Sequence, residues 1–183
     1  MDDATIELSG LHAVKHALRF AAPDLRAWTD DRALVTELCS RLAPDVLGLL
    51  EAVLTEVSRD ELAARTDYVH PTHLLGRAGR PGYRSDQLRA SPTRPLVHLD
   101  RPVDPGNVGA VIRVAAAVGA AGGTTRGFGQ LWSPACLRGS AGLHYALPVL
   151  DADHVTPTGG RPVVAFDPEG ERFRPDEVPA GAT

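Results

Sequence analysis

Lysine, cysteine and aromatic residues are all scarce in this chain of 183 residues. Lys15 is the only lysine, so arginine carries nearly all of the positive charge, a bias that we attribute to genome composition. The two cysteines, Cys39 and Cys136, are far apart and lack CxxC spacing, which argues against a disulfide framework or a cysteine-based zinc site. Aromatic residues make up 5% of the chain, so alanine, leucine and valine must build most of the core.

Long hydrophobic runs are absent as well. No stretch reaches the roughly 18 uninterrupted apolar residues of a membrane span, because Arg113 interrupts the best candidate. The first residues, Met-Asp-Asp-Ala, lack the basic start and apolar core of a signal peptide. We therefore expect a cytoplasmic protein without a membrane segment.

The net charge of -4 hides an uneven distribution. Acidic side chains predominate in residues 1–75 and 151–183, whereas residues 76–150 carry nine arginines and three acidic residues. A basic middle is typical of a protein that contacts a polyanion such as RNA, because phosphate contacts supply much of nucleic-acid affinity. An ordinary solvated, arginine-rich stretch would explain the same pattern equally well.

Residues 1–76 show the alternation of short helices and strands that is typical of a small α/β domain. Apolar spacing predicts the helices, and the Ser58–Glu61 segment matches a capping box that should begin another one. The predicted elements are a helix over Ser9–Phe20, a strand over Leu25–Thr29, a helix from Asp30 or Asp31 to Leu42, a short helix or apolar turn over Val46–Leu50, a strand over Ala52–Val57 and a helix to Arg65.

Residues 77–94 are rich in glycine, proline, serine and arginine, a composition typical of a linker. We place the domain boundary there. The side chains of Arg77 and Arg80 are candidates for contacts with RNA phosphates, although a simple tether explains the composition somewhat better.

Residues 95–183 begin like an open parallel-sheet domain, with a strand, a glycine-containing turn and a helix. Ligands of such sheets bind at the carboxyl ends of the strands, where residues 104–107 would lie. The predicted elements are a strand over Pro95–Leu99, a helix over Val108–Ala121, a glycine-rich and therefore poor strand over Gly122–Thr125, a helix over Ser133–Ser140, a short apolar segment over Leu147–Leu150 and a buried strand over Pro162–Phe166.

Asn107 and Arg113 are the polar residues of the helix that begins near residue 107. Asn107 suits the N-cap position, because its side chain can accept a hydrogen bond from a free helix amide. Arg113 lies about 9 Å further along the axis and is costly in an apolar helix unless it is paired or faces a cleft. A salt bridge across a domain or dimer contact and a functional role explain it equally well.

The segment Asp104–Gly119, with the pattern D-P-G-N-x-G-x-x-x-R-x-A-x-x-x-G, resembles the first motif of the SpoU/TrmH family of RNA ribose 2′-O-methyltransferases. The R-x-S-x-G pattern of Arg138 and Ser140, followed by Leu-Pro-Val, resembles a second segment of that family. The first 76 residues are similar to its ribosomal-protein-like domain that holds RNA. The resemblance implies this domain followed by an open parallel sheet, normally knotted into a trefoil, and a homodimer that acts on rRNA or tRNA with S-adenosylmethionine.

The resemblance also implies roles for particular residues. Asn107 and Arg113 would line the active site, and Arg138 and Ser140 would contact RNA. The reaction is an in-line attack of a ribose 2′-hydroxyl on the methyl group of S-adenosylmethionine. A guanidinium is a poor general base, so Arg113 would orient an adjacent phosphate and stabilise developing oxyanion charge, while a phosphate or water accepts the proton. Gly109, on the face of Arg113, would leave room for the guanidinium or for a close backbone.

The two later motifs of the family, G-x-E-x-x-G-L and S-x-N, are not found in the chain. In the family they form the knot and most of the cofactor pocket, so we expect an incomplete methyltransferase domain whose cofactor-binding residues are unknown and which binds S-adenosylmethionine poorly. The runner-up is a non-catalytic RNA-binding protein derived from this family. A third possibility, an unrelated α/β enzyme for another nucleotide, would need a phosphate-cradling loop at residues 100–107, where only one glycine lies.

Two further sets of residues suggest chemistry less strongly. His12 and His16 are one helical turn apart, which is metal-ligand spacing, but the lack of an evident third ligand favours a surface or interface role. Cys136 could serve as a nucleophile, but no His–Asp arrangement accompanies it in the sequence.

Overall fold

Two sheets organise the chain in the computed structural model, which describes residues 5–152, 161–167, 169–172 and 174–183. The first sheet has the order β1-β4-β2-β3, with β1 and β2 antiparallel to β4 and β3 parallel to β2. Its strands are β1 (Thr5–Ser9), β2 (Arg26–Thr29), β3 (Leu54–Glu56) and β4 (Leu74–Gly79).

Four helices accompany this first sheet: α1 (Leu11–Arg19), α2 (Arg32–Leu42), α3 (Leu47–Val53) and α4 (Arg59–Ala63). Asp31 caps α2 by accepting a hydrogen bond from the amide of Leu34 at 2.9 Å, and Ser58 begins α4 in a complete capping box. The predicted helices and the strands β2 and β3 are therefore confirmed within a few residues, and a 3₁₀ turn over Pro44–Val46 precedes α3.

Strands β1 and β4 were not predicted. Strand β4 contains two glycines, a composition that disfavours strands, but the fold needs one of them. A Cβ on Gly76 would lie 2.9 Å from Cγ2 of Val14, so the bare backbone allows α1 to pack directly on the strand. Residues 77–79 of the predicted linker therefore belong to β4, and a short helix, α5 (Ser85–Arg89), lies further along it.

The second sheet is parallel, with the order β5-β6-β7. Its strands are β5 (Leu96–Asp100), β6 (Gly122–Arg126) and β7 (Val149–Asp151); α6 (Pro105–Ala117) connects β5 to β6, and α7 (Pro134–Ser140) precedes β7. Short 3₁₀ turns follow over Leu143–Tyr145 and Pro175–Glu177. The predicted α/β class with an open parallel sheet is confirmed.

The glycine-rich strand β6 forms because its neighbours approach closely. A Cβ on Gly122 would lie 2.6 Å from the carbonyl oxygen of Pro148 and would also collide with Leu88 of α5. The glycine that makes the strand look poor in sequence is thus what the packing requires.

The predicted buried strand over Pro162–Phe166 is wrong. Its backbone joins neither sheet of the described structure, and Val163 and Phe166 are 58% and 77% exposed. Its local pairing is with Thr183, whose carbonyl accepts from the amide of Val164 and whose amide donates to the carbonyl of Pro162, both at 2.8 Å. Apolar character alone does not make a strand where no sheet edge lies beside it.

The two halves of the chain share packing. One buried cluster surrounds the first sheet and a second surrounds α6 and the parallel sheet, yet Leu137 and Tyr145 of the second half belong to the first cluster. Trp132 packs against both clusters. The side chains around α7 therefore fix the surface of α6 relative to the first sheet, while a division into domains at residues 77–94 stays a prediction.

Candidate functional site

Helix α6 begins at a proline and is capped by the residue before it. The carboxylate of Asp104 accepts a hydrogen bond from the amide of Asn107 at 2.7 Å, and Pro105 occupies the first helical position. The prediction of Asn107 as the N-cap is wrong, because Asp104 is an equally good cap and the fixed φ of proline suits the first turn. The Asn107 side chain does not cap the helix, and the residue is exposed.

The capped N-terminus weighs against the third possibility, a nucleotide enzyme with a phosphate loop at residues 100–107. Anion binding at a helix start needs free amides, and here the Asp104 carboxylate takes one of them and adds negative charge.

Arg113 is exposed on α6, and its guanidinium forms no hydrogen bond or ion pair with any residue of the described ranges. A salt bridge between the two halves of the described chain therefore does not explain its place in the helix. Val114 and Val118 on α6 are also exposed, at 59% and 67%. A free cation among exposed valines suits contact with another molecule.

Helices α6 and α7 cross at glycines, so their backbones are in direct contact. A Cβ on Gly109 would lie 2.8 Å from Cα of Gly139, and one on Gly139 would lie 2.6 Å from the carbonyl oxygen of Gly106. Of the two predicted reasons for Gly109, the close backbone is confirmed. The crossing brings the first turn of α6, with Asn107, against the part of α7 that carries Arg138.

Arg138 and Ser140 differ in what they can contact. Arg138 is exposed, and its guanidinium carbon lies 6.0 Å from the ring centre of Tyr68. Ser140 is fully buried, and its hydroxyl bonds to the ring of His144 at 2.6 Å and accepts from the amide of Gly142 at 3.2 Å. The expected RNA contact of Ser140 is therefore corrected: its hydroxyl organises the turn after α7.

Cys136 belongs to a buried cluster around His144, which the spacing in the sequence did not indicate. The thiol of Cys136 lies 3.5 Å from Nε2 of His144, whose Nδ1 bonds to Ser140. Burial raises the pKa of the Cys136 thiol to about 12 and, as the main cause, lowers the pKa of His144 to about 4. Both groups are thus held neutral and shielded from solvent, which disfavours nucleophilic chemistry.

Arg77 and Arg80, the two arginines at the end of β4 that we predicted to bind RNA, have partners within the fold. The guanidinium of Arg77 donates to the carbonyl of Arg65 at 2.6 Å, which ties β4 to the turn after α4. Arg80 is exposed and lies over Trp132, with 5.6 Å between the guanidinium carbon and the ring centre. Arg80 therefore remains available to a ligand, whereas part of Arg77 is committed to the backbone.

An open cleft of about 310 Å³ lies beside the carboxyl ends of β6 and β7, between Arg80, Tyr83, Trp132 and Asp151. The Asp151 carboxylate is occupied, because it accepts from the hydroxyl of Thr125 at 3.0 Å and from the amide of Gly129 at 2.7 Å. The described residues thus provide a wall of this cleft but no ring of free polar groups that would enclose an adenosine and a charged amino acid.

His12 and His16 lie on α1 with Lys15 and Arg19. Burial, then the charges of Lys15, Arg19 and His12, lowers the pKa of His16 to about 4. The described residues contain no group of three histidine, cysteine or acidic side chains arranged to hold a metal ion. None of the helices in the described part of the chain has the length and apolar character to cross a bilayer.

Comparison with known proteins shows what this chain is similar to. No protein-family model matches the chain. The mitochondrial rRNA methyltransferase 3 of Xenopus tropicalis is 33% identical over 109 residues, which cover 57% of this chain and 26% of that protein. The human protein of the same name is 30% identical over 105 residues, covering 54% and 24%. The chain thus spans about a quarter of the length of these curated relatives.

Solved structures match over more of the chain. A crystal structure described as an RNA 2′-O ribose methyltransferase has a TM-score of 0.73 and 25% identity and is covered to 70%, with 98% of this chain aligned. The SpoU methyltransferase AviRb of Streptomyces viridochromogenes, in complex with AdoMet, has a TM-score of 0.66 and 22% identity, covering 88% of this chain and 62% of that one.

The fold is that of the SpoU methyltransferases. The resemblance to the SpoU/TrmH family that Asp104–Gly119 indicates is confirmed, and the curated relatives are named rRNA methyltransferase 3.

The sequence did not point to Tyr68, which lies under Arg138, or to Trp132, which lies under Arg80. Nothing local marks either residue, because each meets its arginine across a long sequence separation. The capping role of Asp104, in contrast, was readable from the Asp-Pro pair.

Proposed function

We propose that the chain belongs to an S-adenosylmethionine-dependent RNA methyltransferase that methylates a ribose 2′-hydroxyl of rRNA or tRNA. The observation that carries the proposal is the unpaired, exposed guanidinium of Arg113 at the motif position on α6. The likeness of the fold to structures of RNA methyltransferases supports it. The predicted cytoplasmic location stays a prediction.

The residues of this chain supply the substrate side of the reaction. Arg113 holds a phosphate next to the target ribose and stabilises the charge that develops as the 2′-hydroxyl loses its proton. Asn107 lies six residues earlier on the same helix and positions the nucleotide. Arg138, on the helix that crosses α6, contacts a further phosphate.

S-adenosylmethionine supplies the methyl group when it is bound. The described residues do not fit it as a complete pocket, because the cleft beside β6 and β7 is open and its Asp151 carboxylate is already occupied. We therefore assign no residue of this chain to the cofactor.

The exposed guanidinium of Arg113, unpaired within the described ranges, also supports a second candidate, a non-catalytic RNA-binding protein that keeps the arginine surface. Isothermal titration of the chain with S-adenosylmethionine, together with RNA binding measured by fluorescence anisotropy, separates the two. RNA binding with cofactor binding supports the enzyme, whereas RNA binding with no heat from the cofactor supports either the binder or an incomplete methyltransferase domain.

The direct test of the enzyme measures transfer of a labelled methyl group from S-adenosylmethionine to rRNA and tRNA, followed by nucleoside mass spectrometry. We expect 2′-O-methylated nucleosides. Methylation of a base, or cofactor binding without any transfer to RNA, would contradict the proposal.

We also propose a homodimer that uses the exposed face of α6. Val114 and Val118 form an apolar surface there, and covering such residues favours association. The chain should sediment as a dimer, and Val118→Asp should shift it to monomer. Val163→Asp, at an exposed valine outside α6, is the control and should leave the sedimentation unchanged.

A further inference from the structure

Tyr68 presents an aromatic ring at the surface beside an arginine and a histidine. The residue is 51% exposed, in a loop that contacts Leu11 of α1 and Arg138 of α7. Its ring centre lies 6.0 Å from the guanidinium carbon of Arg138 and 6.2 Å from the ring centre of His70, with the two rings nearly perpendicular at 89°. An exposed ring beside a planar cation is the combination on which unpaired bases stack.

The loop that carries Tyr68 is held in place at both ends. The hydroxyl of Thr66 donates to the carboxylate of Glu7 at 2.8 Å and accepts from the amide of Tyr68 at 3.3 Å. On the other side, Gly10 adopts a φ of +83°, and a Cβ there would lie 2.7 Å from the His70 ring, so the histidine packs directly on the backbone before α1. The ring of Tyr68 is therefore presented from a fixed loop.

A hydrogen bond from the backbone defines the tautomer of His70. The amide of Thr72 donates to Nδ1 of His70 at 3.1 Å, so the neutral ring carries its proton on Nε2. Burial, then the nearby charges of His12 and Arg138, lowers the pKa of His70, so its ring stays neutral near pH 7 beside the Arg138 cation. The exposed carboxylate in this loop is that of Asp67, next to the tyrosine.

The position of this group relative to α6 follows from the helix crossing. Arg138 precedes Gly139, whose backbone lies against Gly106, and Gly106 precedes Asn107. The arginine that contacts the Tyr68 ring is therefore next in sequence to the residue that packs on the first turn of α6.

We propose that Tyr68 and Arg138 form a stacking site for one unpaired base of the RNA, next to the nucleotide at α6. The inference rests on the proposed function and adds a structural preference to it. Bases of a duplex are stacked on each other and unavailable to an aromatic ring, so the site selects single-stranded loops over helices.

The experiment measures binding of the 183-residue chain to two RNAs of equal length and charge, a stem–loop and a fully paired duplex, by fluorescence anisotropy. Tyr68→Ala should weaken binding of the stem–loop about tenfold and change binding of the duplex less than about twofold. Tyr68→Phe keeps the ring and should stay within about twofold of the wild type. Phe20→Ala, at another exposed aromatic residue, is the matched control and should have no effect.

Salt dependence separates stacking from charge. Tyr68→Ala should leave the slope of log affinity against log salt concentration unchanged, whereas Arg138→Ala should reduce it by about 0.7, the value for one phosphate contact on a single strand. Circular dichroism of each variant checks that it is folded.

Each outcome decides between the proposals. Equal loss of stem–loop and duplex binding in Tyr68→Ala, or wild-type binding of both, overturns the stacking site and leaves the proposed function intact. Wild-type protein that binds neither RNA contradicts the proposed function, and the stacking site with it.

Discussion

Gly109 of α6 and Gly139 of α7 meet backbone to backbone, and a Cβ on Gly109 would lie 2.8 Å from Cα of Gly139. This contact joins the helix of Arg113 to the helix of Arg138. Because no side chain separates the two helices, the distance between the two arginines is set by rigid backbone. The glycine in the motif thus sets how closely the two helices that carry these arginines approach.

Gly109→Ala should destabilise the protein, because the new methyl group collides with the backbone of α7 and has no flexible neighbour to displace. Overpacking of this kind costs about 1–3 kcal/mol in the free energy of unfolding. Gly48→Ala is the matched control: it lies in α3 with no atom within 4 Å of its Cβ position, so it should stabilise the helix by up to about 1 kcal/mol. Urea unfolding of both variants measures the contrast, and equal stability of the two would contradict the close crossing.

Arg113→Ala should abolish methyl transfer without affecting the fold. The guanidinium has no partner in the described chain, so its loss should change the free energy of unfolding by less than about 0.5 kcal/mol. Loss of a charge-stabilising donor should lower the turnover number at least about 100-fold. Arg41→Ala removes an exposed arginine of α2 that pairs with Glu37 and should leave turnover unchanged. Undiminished methylation by Arg113→Ala would remove the residue from the mechanism.

The sequence predicted those elements whose information is local. Apolar spacing and the capping box at Ser58 were enough for α2 and α4, and the strand–turn–helix from Pro95 was enough for the start of the parallel sheet. Strand β4 escaped because its glycines reflect contact with α1, which only the tertiary structure shows.

The candidate site divides in the same way. The motif identified Arg113 and Arg138 by position, and the structure finds both exposed. The burial of Ser140 and the partnership of Cys136 with His144 depend on how the turn after α7 folds back, which no spacing rule encodes.

Cys136 should resist alkylation in the native protein. Its thiol is fully buried and its pKa is raised to about 12, so almost no reactive thiolate exists near neutral pH; burial also raises the pKa of Cys39. Iodoacetamide labelling followed by mass spectrometry should modify neither cysteine in buffer and both in urea. Rapid native labelling at Cys136 would show that the cluster around His144 is open.

The free energy of unfolding should decrease as the pH is lowered, because His144 becomes protonated. The ring has a pKa of about 4 in the fold and 6.5 when unfolded, so the neutral ring stabilises the protein fully above pH 6.5, and this stability is lost as the pH falls towards 4. The slope for one proton is at most about 1.4 kcal/mol per pH unit.

Urea unfolding at several values between pH 7 and pH 4 measures this slope, and His144→Gln should make it shallower. His16, whose pKa is also about 4, contributes in the same window, so His16→Gln is the comparison. Should His144→Gln not fold, the ring proton signals of wild-type His144 in an NMR titration replace it. A midpoint near pH 6.5 in the folded protein would contradict the buried, neutral ring.

Arg161 should hold the C-terminal segment against the parallel-sheet half. Its guanidinium donates to four carbonyl oxygens, at 2.5 Å to Arg94, 2.7 Å to Ser91, 2.9 Å to Gly181 and 3.3 Å to Leu88. Removal of the side chain leaves these largely buried carbonyls without their donor, a loss of about 1–3 kcal/mol for each group that finds no other partner. Arg161→Ala should therefore release the C-terminal segment, and tryptic cleavage after Arg172 should accelerate. Arg174→Ala, at an exposed arginine where trypsin does not cleave because Pro175 follows, is the control and should leave that cleavage rate unchanged. Equal cleavage rates in Arg161→Ala and the wild type would mean that the carbonyl contacts do not anchor the segment.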